Sequence, residues 1–231
     1  MSGTQGYLLA TVKPWNIEAF ERHRERLPGQ WQLLTDPAEL TVENLRRINP
    51  RYVFIPHWSW RVPDAIVEEF ECVCFHMTDV PYGRGGSPLQ NLILRGIGET
   101  KISALRMVHD LDAGPVYMKK PLSLEGSAQR IFERAADSIV EMIAEIAKSE
   151  PAPRPQSGTP TLFARRRPDE SRLPTEASPQ SLYDFIRMLD ADTYPRAFLD
   201  WGKFRLHFSE AELIGDQVIS KVAITVHKDV P

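Results

Sequence analysis

The chain has 231 residues, of which 42% are hydrophobic, with a formal net charge of −3 and a pI near 6.1. This composition predicts an ordinary globular protein with one sizeable core, and the charge argues against a sequence-independent nucleic-acid binder. Two cysteines without a disulfide framework indicate a reducing, cytoplasmic location. The apolar run near the N-terminus is too short for a membrane span and lacks the positive region of a signal peptide.

The first third of the chain alternates between short apolar runs and helical patterns. Strands are predicted at 7–12, 31–35, 52–56 and 72–76. Helices are predicted between them, with Asn16 and Thr41 as N-caps and Asp64 as the first residue of the third. This order predicts parallel strands joined by right-handed crossovers, with ligands bound at the carboxyl ends of the strands.

The remaining two thirds begin with a glycine- and proline-rich loop at 79–88. After it, the patterns predict a helix at 89–96, a strand at 102–108 with an exit loop at 109–115, and an amphipathic helix at 127–148. Prolines at 151–160 indicate a connector rather than a packed element. A helix near 181–189 and strands at 204–208 and 217–226, with a turn at Gly215, complete the chain.

These elements predict an α/β fold, a Rossmann-like, mostly parallel sheet flanked by helices, followed by a short C-terminal helix and β-hairpin. We assign residues 1–175 to a catalytic core and 176–231 to the small extension. No internal repeat or low-complexity tract is visible.

Polar and aromatic side chains follow the third and fourth predicted strands. His57, Trp58 and Trp60 follow the third, and His76 ends the fourth. A histidine at a strand end, with Asp112 in a neighbouring exit loop, suits a general base and its orienting carboxylate. Such pairs are common in proteins of this size, and either tryptophan is equally interpretable as core, so the residues alone leave these roles open.

Two motifs in register carry a family resemblance. His76, Pro81, Arg84-Gly85 and Pro88 match the pattern Asn-x-His-x-Ser-x-x-Pro-x-x-Arg-Gly-x-x-Pro, with threonine at 78 for the serine. An Asp-x-Gly loop starts 36 residues after His76. This resembles the 10-formyltetrahydrofolate-dependent formyltransferases, the family of methionyl-tRNA formyltransferase and the sugar N-formyltransferases. Segments 163–171 and 186–198 resemble the sugar-modifying branch, so the resemblance covers most of the chain.

The resemblance implies an N-formyltransferase that uses 10-formyltetrahydrofolate and needs no metal. His76, held by Asp112, would remove the proton of the attacking amine. The implied cofactor contacts are Arg84, Gly85, Gly86, Pro88, Leu89, Met107, Val108 and Asp110, with Arg84 alternatively bracing its loop. The expected acceptor contacts are His57, Trp58, Trp60 and Tyr82. The triplet Arg165–Arg167 would attract a phosphate or form an ordinary solvated face.

One position departs from the family pattern, since Cys74 occupies the place of the catalytic asparagine. A thiol cannot present the amide donor that steadies a developing oxyanion. We therefore expect a substitute donor, with Asn91, His57 or a backbone amide as candidates. Cys74 itself is better interpreted as a buried structural cysteine than as a nucleophile.

The expected acceptor is the primary amine of an amino sugar, carried on a nucleotide, in surface glycan synthesis. The short tail argues against tRNA or any other nucleic acid as a partner, and no membrane partner is expected. The alternatives are another small amine, such as an amino-acid-derived hydroxylamine, or a catalytically weak folate-binding relative. Val218, Val222 and Ile224 on the predicted hairpin suggest a homodimer.

Overall fold

The computed structural model describes residues 5–226. The first four residues of the predicted core, 1–4, and the last five of the predicted extension, 227–231, lie outside the described residues. The strands are β1 (Gly6–Ala10), β2 (Gln30–Leu34), β3 (Tyr52–Pro56), β4 (Cys72–His76), β5 (Arg84–Gly85), β6 (Glu99–Arg106), β7 (Val116–Ser123), β8 (Leu162–Phe163), β9 (Ala197–Trp201), β10 (Phe204–Ile214) and β11 (Gln217–Val226). The helices are α1 (Pro14–His23), α2 (Val42–Ile48), α3 (Asp64–Glu69), α4 (Pro88–Ile93), α5 (Ala128–Ser149) and α6 (Pro179–Arg187).

The chain forms two compact units. The first runs through Gly85 and adds Thr100–Leu122 and Glu133–Leu162. The second consists of Gly86–Glu99, Ser123–Phe132 and the chain from Phe163 onward. The predicted boundary at residue 175 stays a prediction. Among residues 5–226, none of the helices combines the length and apolar character needed to cross a bilayer.

A six-stranded sheet with the order β2-β1-β3-β4-β6-β7 confirms the predicted α/β fold. The first four strands are parallel, and their bounds match the predicted runs to within two residues. β6 runs antiparallel to β4, with Ser103 opposite His76. β7 was not predicted, because Lys119, Lys120 and Pro121 interrupt its apolar character, as is usual for a strand at a sheet edge.

Both faces of the inner parallel strands β1, β3 and β4 are largely buried, as parallel sheets require. One face is aromatic, with Tyr7 stacked on Trp31 at 4.8 Å and Phe54 packed beside them. The other face is aliphatic, and Leu8, Val53, Ile55 and Cys72 belong to its core cluster. Because residues two apart on a strand share a face, the aliphatic face of β4 also carries Cys74 and ends in His76.

The two predicted N-caps have different outcomes. The Thr41 hydroxyl caps α2 by accepting a hydrogen bond from Asn44 N at 3.1 Å, as predicted. The prediction for Asn16 is wrong, since α1 begins at Pro14 and Asn16 is buried within it. The Asn16 amide instead donates to the hydroxyl of Thr11, where it satisfies buried polar groups beyond the end of β1.

The second unit contains a three-stranded antiparallel sheet with the order β11-β10-β9. The predicted hairpin is confirmed, and Gly215 supplies the positive φ of 61° in its turn. β9 was missed because it is short and directly follows Pro195 and Arg196. Helix α6 packs against β10 and β11.

Candidate active site

His76 lies at the end of β4 with only 8% of its side chain exposed. Its Nε2 lies 2.7 Å from the carbonyl oxygen of Gly83, to which it donates a hydrogen bond. Its Nδ1 lies 3.4 Å from the Oδ2 atom of Asp112. When the ring carries a proton on both nitrogens, each proton therefore has an acceptor. A histidine whose two ring nitrogens face acceptor groups in this way has the arrangement expected of a general base.

Asp112 reaches His76 from a loop, not from the end of a parallel strand. β6 runs antiparallel, so the loop leaves the sheet near Cys72 and turns back across the aliphatic face. Asp112 has a φ of 52°, and its Oδ2 accepts a hydrogen bond from the Gly85 N–H at 3.0 Å. A Cβ at Gly114 would lie 1.7 Å from the Arg106 carbonyl oxygen. The glycine of the Asp-x-Gly motif is therefore a steric requirement of the turn that aims Asp112.

Cys74 lies beside the same pair, two residues before His76 on β4. Burial raises the pKa of the Cys74 thiol far above its usual range, and the Asp112 carboxylate raises this pKa further. Burial also raises the pKa of Cys72, to about 12. Both side chains are therefore neutral thiols at neutral pH, and neither is an activated nucleophile.

Arg84 braces its loop in this structure. Its Nε and Nη2 atoms donate to Oε1 of Gln156 at 3.0 and 2.8 Å, and its backbone N–H donates to the Thr161 carbonyl at 2.9 Å. Gly83 carries a φ of 72° and Gly85 a φ of 106°. Such angles favour glycine, and they bring the Gly83 carbonyl to His76 and the Gly85 amide to Asp112.

The expected acceptor residues follow β3, and the structure separates them. Burial and nearby Lys13 lower the pKa of His57 to about 3, so its ring is neutral at neutral pH, 5.2 Å from the Trp15 ring. Trp58 packs against the aliphatic core, whereas Trp60 is 53% exposed with its ring 5.4 Å from that of Trp58. Tyr82 is also exposed. Trp58 thus has a packing role, and Trp60 is available to a ligand.

Three residues expected to contact the cofactor lie just before Asp112 in the chain: Met107, Val108 and Asp110. The Met107 N–H donates to the Cys72 carbonyl, and the Met107 side chain packs against the aliphatic core. Val108 is partly exposed, and the Asp110 carbonyl accepts from Ala113. Within residues 5–226, the N–H groups of residues 108–111 donate to no other backbone group. This stretch therefore offers open amides to a ligand.

The other expected cofactor residues belong to the second unit. Gly86 donates its N–H to the Phe163 carbonyl, and a Cβ there would lie 2.4 Å from the Cβ of Arg165. Pro88 is the first residue of α4, and Leu89 is fully buried. The Asn91 amide donates to three carbonyls of its own unit, Gly86, Ser87 and Ala164. Asn91 therefore does not serve as the substitute oxyanion donor in this arrangement.

The arginine triplet is partly engaged within the second unit. Arg166 donates to the Glu170 carbonyl, and Arg167 lies 3.4 Å from Asp169. Arg165 is exposed beside Gly86. In the described part of the chain, no group of three or more histidine, cysteine, aspartate or glutamate side chains is arranged to hold a metal ion.

Gln156 and Thr78 were not singled out by sequence analysis as site residues. Gln156 bonds Arg84 and also donates to the carbonyls of Asp112 and Gly114 at 2.8 Å. The Thr78 hydroxyl donates to the Gly83 carbonyl at 3.4 Å. Thr78 had a signal, because it occupies the serine position of the motif. Gln156 had none, since its neighbours resemble an ordinary proline-rich linker.

Comparison with known proteins supports the resemblance. A family model described as the C-terminal domain of methionyl-tRNA formyltransferase matches residues 168–225. The methionyl-tRNA formyltransferase of Thermodesulfovibrio yellowstonii is 25% identical over 162 residues, which cover 67% of this chain and 51% of that protein. A solved structure titled methionyl-tRNA formyltransferase from Clostridium thermocellum is 44% identical, with a TM-score of 0.93, over 96% of this chain and 99% of that one. The chain belongs to the formyltransferase family.

Formyltransferases of this family use 10-formyltetrahydrofolate as the formyl donor. The chain spans about half the length of the curated relatives that it matches. A sugar N-formyltransferase from a Shewanella species shares the fold, with 14% identity and a TM-score of 0.68 over 91% of this chain and 99% of that one. At that identity, the likeness shows the fold alone. Family membership is thus established, whereas the expected sugar acceptor is not.

Proposed function

We propose that this protein is an N-formyltransferase that moves the formyl group of 10-formyltetrahydrofolate to a primary amine. The observation that carries the proposal is the contact of Asp112 with both His76 and the Gly85 amide. These three residues come from the two family motifs. The contact makes one unit of a proton-accepting ring, its orienting carboxylate and the loop expected to hold the cofactor.

The residues present fit the cofactor. A pterin ring displays hydrogen-bond donors and acceptors along one edge, and the open amides at 108–111 complement such an edge. Val108 and Leu111 place exposed apolar surface on the same loop. Arg84 and Gly85 would border the cofactor from the other motif. When bound, 10-formyltetrahydrofolate supplies an activated formyl carbon for attack by the amine.

His76 would react as the tautomer that carries its proton on Nδ1, so that Nε2 gives up its bond to the Gly83 carbonyl and accepts the proton of the attacking amine. Asp112 would hold Nδ1–H and so stabilise the imidazolium charge. The low exposure of both side chains keeps water from competing for that proton. Cys74 offers no amide to the developing oxyanion, so a backbone N–H group of one of the two motif loops is our candidate for that role.

We propose a small acceptor, a nucleotide-linked amino sugar being the first to test. The segment that matches the tRNA-enzyme family model, residues 168–225, has ten acidic and six basic residues, a formal charge of −4. Five of those six bases are already paired with carboxylates: Arg172, Arg187, Arg196, Arg205 and Lys221. Such a segment is poorly suited to a phosphate backbone. The exposed Trp60 ring instead offers a stacking surface for a sugar or base.

Methionyl-tRNA is the second candidate acceptor, favoured by a specific observation. The Clostridium thermocellum structure has nearly the same length as this chain and is titled a methionyl-tRNA formyltransferase. The two candidates differ in how their binding depends on salt. Binding of tRNA would weaken steeply as salt rises, because binding of a nucleic acid releases counterions, whereas binding of a small acceptor would change little.

The test incubates the full chain with 10-formyltetrahydrofolate and each acceptor, and follows tetrahydrofolate release. The panel holds nucleotide-linked amino sugars, small amines including hydroxylamines, and methionyl-tRNA. His76→Ala should lower turnover at least about a hundredfold, while the control His23→Ala, at a partly exposed histidine near Asp137, should leave turnover unchanged. Turnover of methionyl-tRNA alone would overturn the small-acceptor proposal. Cofactor binding without turnover of any acceptor would overturn the enzymatic proposal in favour of a folate-binding protein.

We further propose that the protein is a cytoplasmic homodimer. Up to the bulge after Ser209, one face of the three-stranded sheet is apolar, and we call it the apolar hairpin face: Ala197, Leu199, Trp201, Phe204, Leu206, Phe208, Val222, Ile224 and Val226. Trp201 is 68% exposed and Ile224 61%. Large exposed apolar faces mark interaction sites, and such a face can be buried against its own copy across a twofold axis. Ile224→Glu should yield a monomer in analytical ultracentrifugation, and a wild-type monomer would contradict the proposal.

A further inference from the structure

Gln156 lies in the proline-rich connector between α5 and β8, and its amide makes four hydrogen bonds. Oε1 accepts from Nε and Nη2 of Arg84 at 3.0 and 2.8 Å. Nε2 donates to the carbonyls of Asp112 and Gly114, both at 2.8 Å. The two halves of one side-chain amide therefore hold the two loops that carry the family motifs.

The connector is docked rather than loose, which gives this amide a fixed base. The Arg154 N–H and carbonyl pair with those of Val116 at 2.8 and 2.7 Å. Beyond Gln156, the Thr161 N–H donates to the Pro81 carbonyl at 3.1 Å. Gln156 is thus anchored on both sides by backbone hydrogen bonds. Because its backbone is already held, only the few rotatable bonds of the Gln156 side chain lose freedom when the amide makes its contacts.

The chemistry of the contact is specific to an amide. Arg84 offers only donors, and the Asp112 and Gly114 carbonyls offer only acceptors. A bridging side chain must therefore accept on one atom and donate from another, as Gln and Asn do. Glutamate would keep the bonds to Arg84 but would turn a carboxylate oxygen toward two carbonyl oxygens. Asparagine is one methylene shorter and could not span both loops from the same backbone.

We infer that Gln156 is a positioning residue for the transfer reaction, an inference that rests on the proposed function. The Gly85 amide donates directly to the Asp112 carboxylate, which joins the two loops at one point. Gln156 joins them at a second point, because it binds both Arg84, the neighbour of Gly85, and the Asp112 backbone. Together these contacts fix the distance between Asp112 and His76. A displacement on the order of 1 Å at such a pair lowers catalysis roughly a hundredfold.

The test compares Gln156→Ala, Gln156→Glu and a matched control, Gln32→Glu, which makes the same charge change on the exposed surface of β2. Gln156→Ala frees both loops, so kcat should fall about tenfold to a hundredfold and KM for 10-formyltetrahydrofolate should rise. Gln156→Glu keeps the Arg84 bonds, so kcat should fall while KM for the donor stays near that of the wild type. Gln32→Glu should change neither.

Hydrogen exchange provides a readout that does not depend on turnover. In Gln156→Ala and Gln156→Glu, exchange should rise in peptides that contain Gly85 and Asp112, and stay unchanged in peptides from β1 and β3. If the wild type turns over no acceptor but the exchange rises as expected, the proposed function is wrong, while the role of Gln156 in holding the two loops together is supported. Unchanged kcat, KM and exchange in Gln156→Ala would overturn the inference. If that variant is globally unfolded, the kcat and KM of Gln156→Glu decide.

Discussion

Two clusters of polar side chains lie at opposite ends of the parallel strands. At the amino ends, Arg51 donates to Glu71 at 2.5 Å and to Glu150 at 3.0 Å, and the Tyr117 hydroxyl donates to Glu71 at 2.6 Å. The Arg51 guanidinium also lies 4.1 Å from the centre of the Tyr52 ring. At the carboxyl end, Asp112 faces His76 at the longer distance of 3.4 Å.

From this difference we infer that the cluster at the amino ends serves stability, and we predict that the pair at the carboxyl end serves chemistry. At the amino ends, burial opposes ionisation of Glu71, but the hydrogen bonds from Tyr117 and Arg51 outweigh it and lower the Glu71 pKa. In that network, the charged donors of Arg51 and the hydroxyl of Tyr117 are matched by carboxylate acceptors. The His76 and Asp112 pair is less tightly bonded, and the N–H groups of residues 108–111, which precede Asp112 in the chain, donate to no backbone acceptor within residues 5–226. Functional sites commonly keep hydrogen-bonding groups that the folded protein leaves without a partner, so that a substrate can bind them.

The largest effect that would test this contrast is loss of the proposed catalytic pair, His76 and Asp112. His76→Ala and Asp112→Asn should each lower kcat by about 10²- to 10⁴-fold, because neither variant can accept and stabilise the amine proton. Thermal unfolding should change by no more than a few degrees, since the pair is not a stabilising network. The measurements are tetrahydrofolate release and calorimetry on the same preparations. Full turnover in His76→Ala would refute the assignment of the base.

The opposite pattern is expected at the amino ends. Glu71→Gln should lower the free energy of unfolding by about 1.5 to 3 kcal/mol at pH 7, the range for hydrogen bonds to charged groups. The kcat should stay unchanged. Glu69→Gln, in the exposed pair with Arg46, is the control and should have little effect. A loss of activity in Glu71→Gln, without loss of stability, would contradict the assignment of the amino-end cluster to stability.

The pH dependence of the same variant follows from the lowered Glu71 pKa. A carboxyl with a lower pKa in the folded state stabilises the protein above its unfolded pKa, near 4.5. That stabilisation disappears as the pH falls through the folded pKa. The stability difference between wild type and Glu71→Gln should therefore be complete at pH 7 and shrink below pH 4.5. Urea unfolding at several pH values measures it, and a difference that grows in acid would contradict the assignment.

Sequence patterns predicted the parallel half of the sheet closely, because buried strands are continuous apolar runs. β3 and β4 have the predicted bounds. The pairing of His76 with Asp112 was also expected, although only the family motifs made it specific. Composition alone could not separate it from chance pairs of the same residue types.

What sequence analysis missed depends on contacts between distant residues. The charged edge strand β7 has no apolar run of its own, and the antiparallel direction of β6 is set by its partner. Asn16 follows the rules for an N-cap, yet tertiary contacts with Thr11 draw it into the interior. Gln156 acquires its role only when the connector folds back onto two loops. Local propensity carries no record of such contacts.

The smallest expected effect concerns Cys74, which stands between the two clusters on β4. Because burial and the Asp112 carboxylate raise its pKa, the thiol is neutral, and Cys74→Ala should leave kcat within about threefold of the wild type. Cys74→Asn restores the family amide and should raise kcat about tenfold, less than the roughly 10²- to 10³-fold that such a donor supplies in sites built around it. Steady-state kinetics on both variants decide between these outcomes. If Cys74→Ala lost activity as fully as His76→Ala, the thiol would have to act in the reaction together with His76 and Asp112.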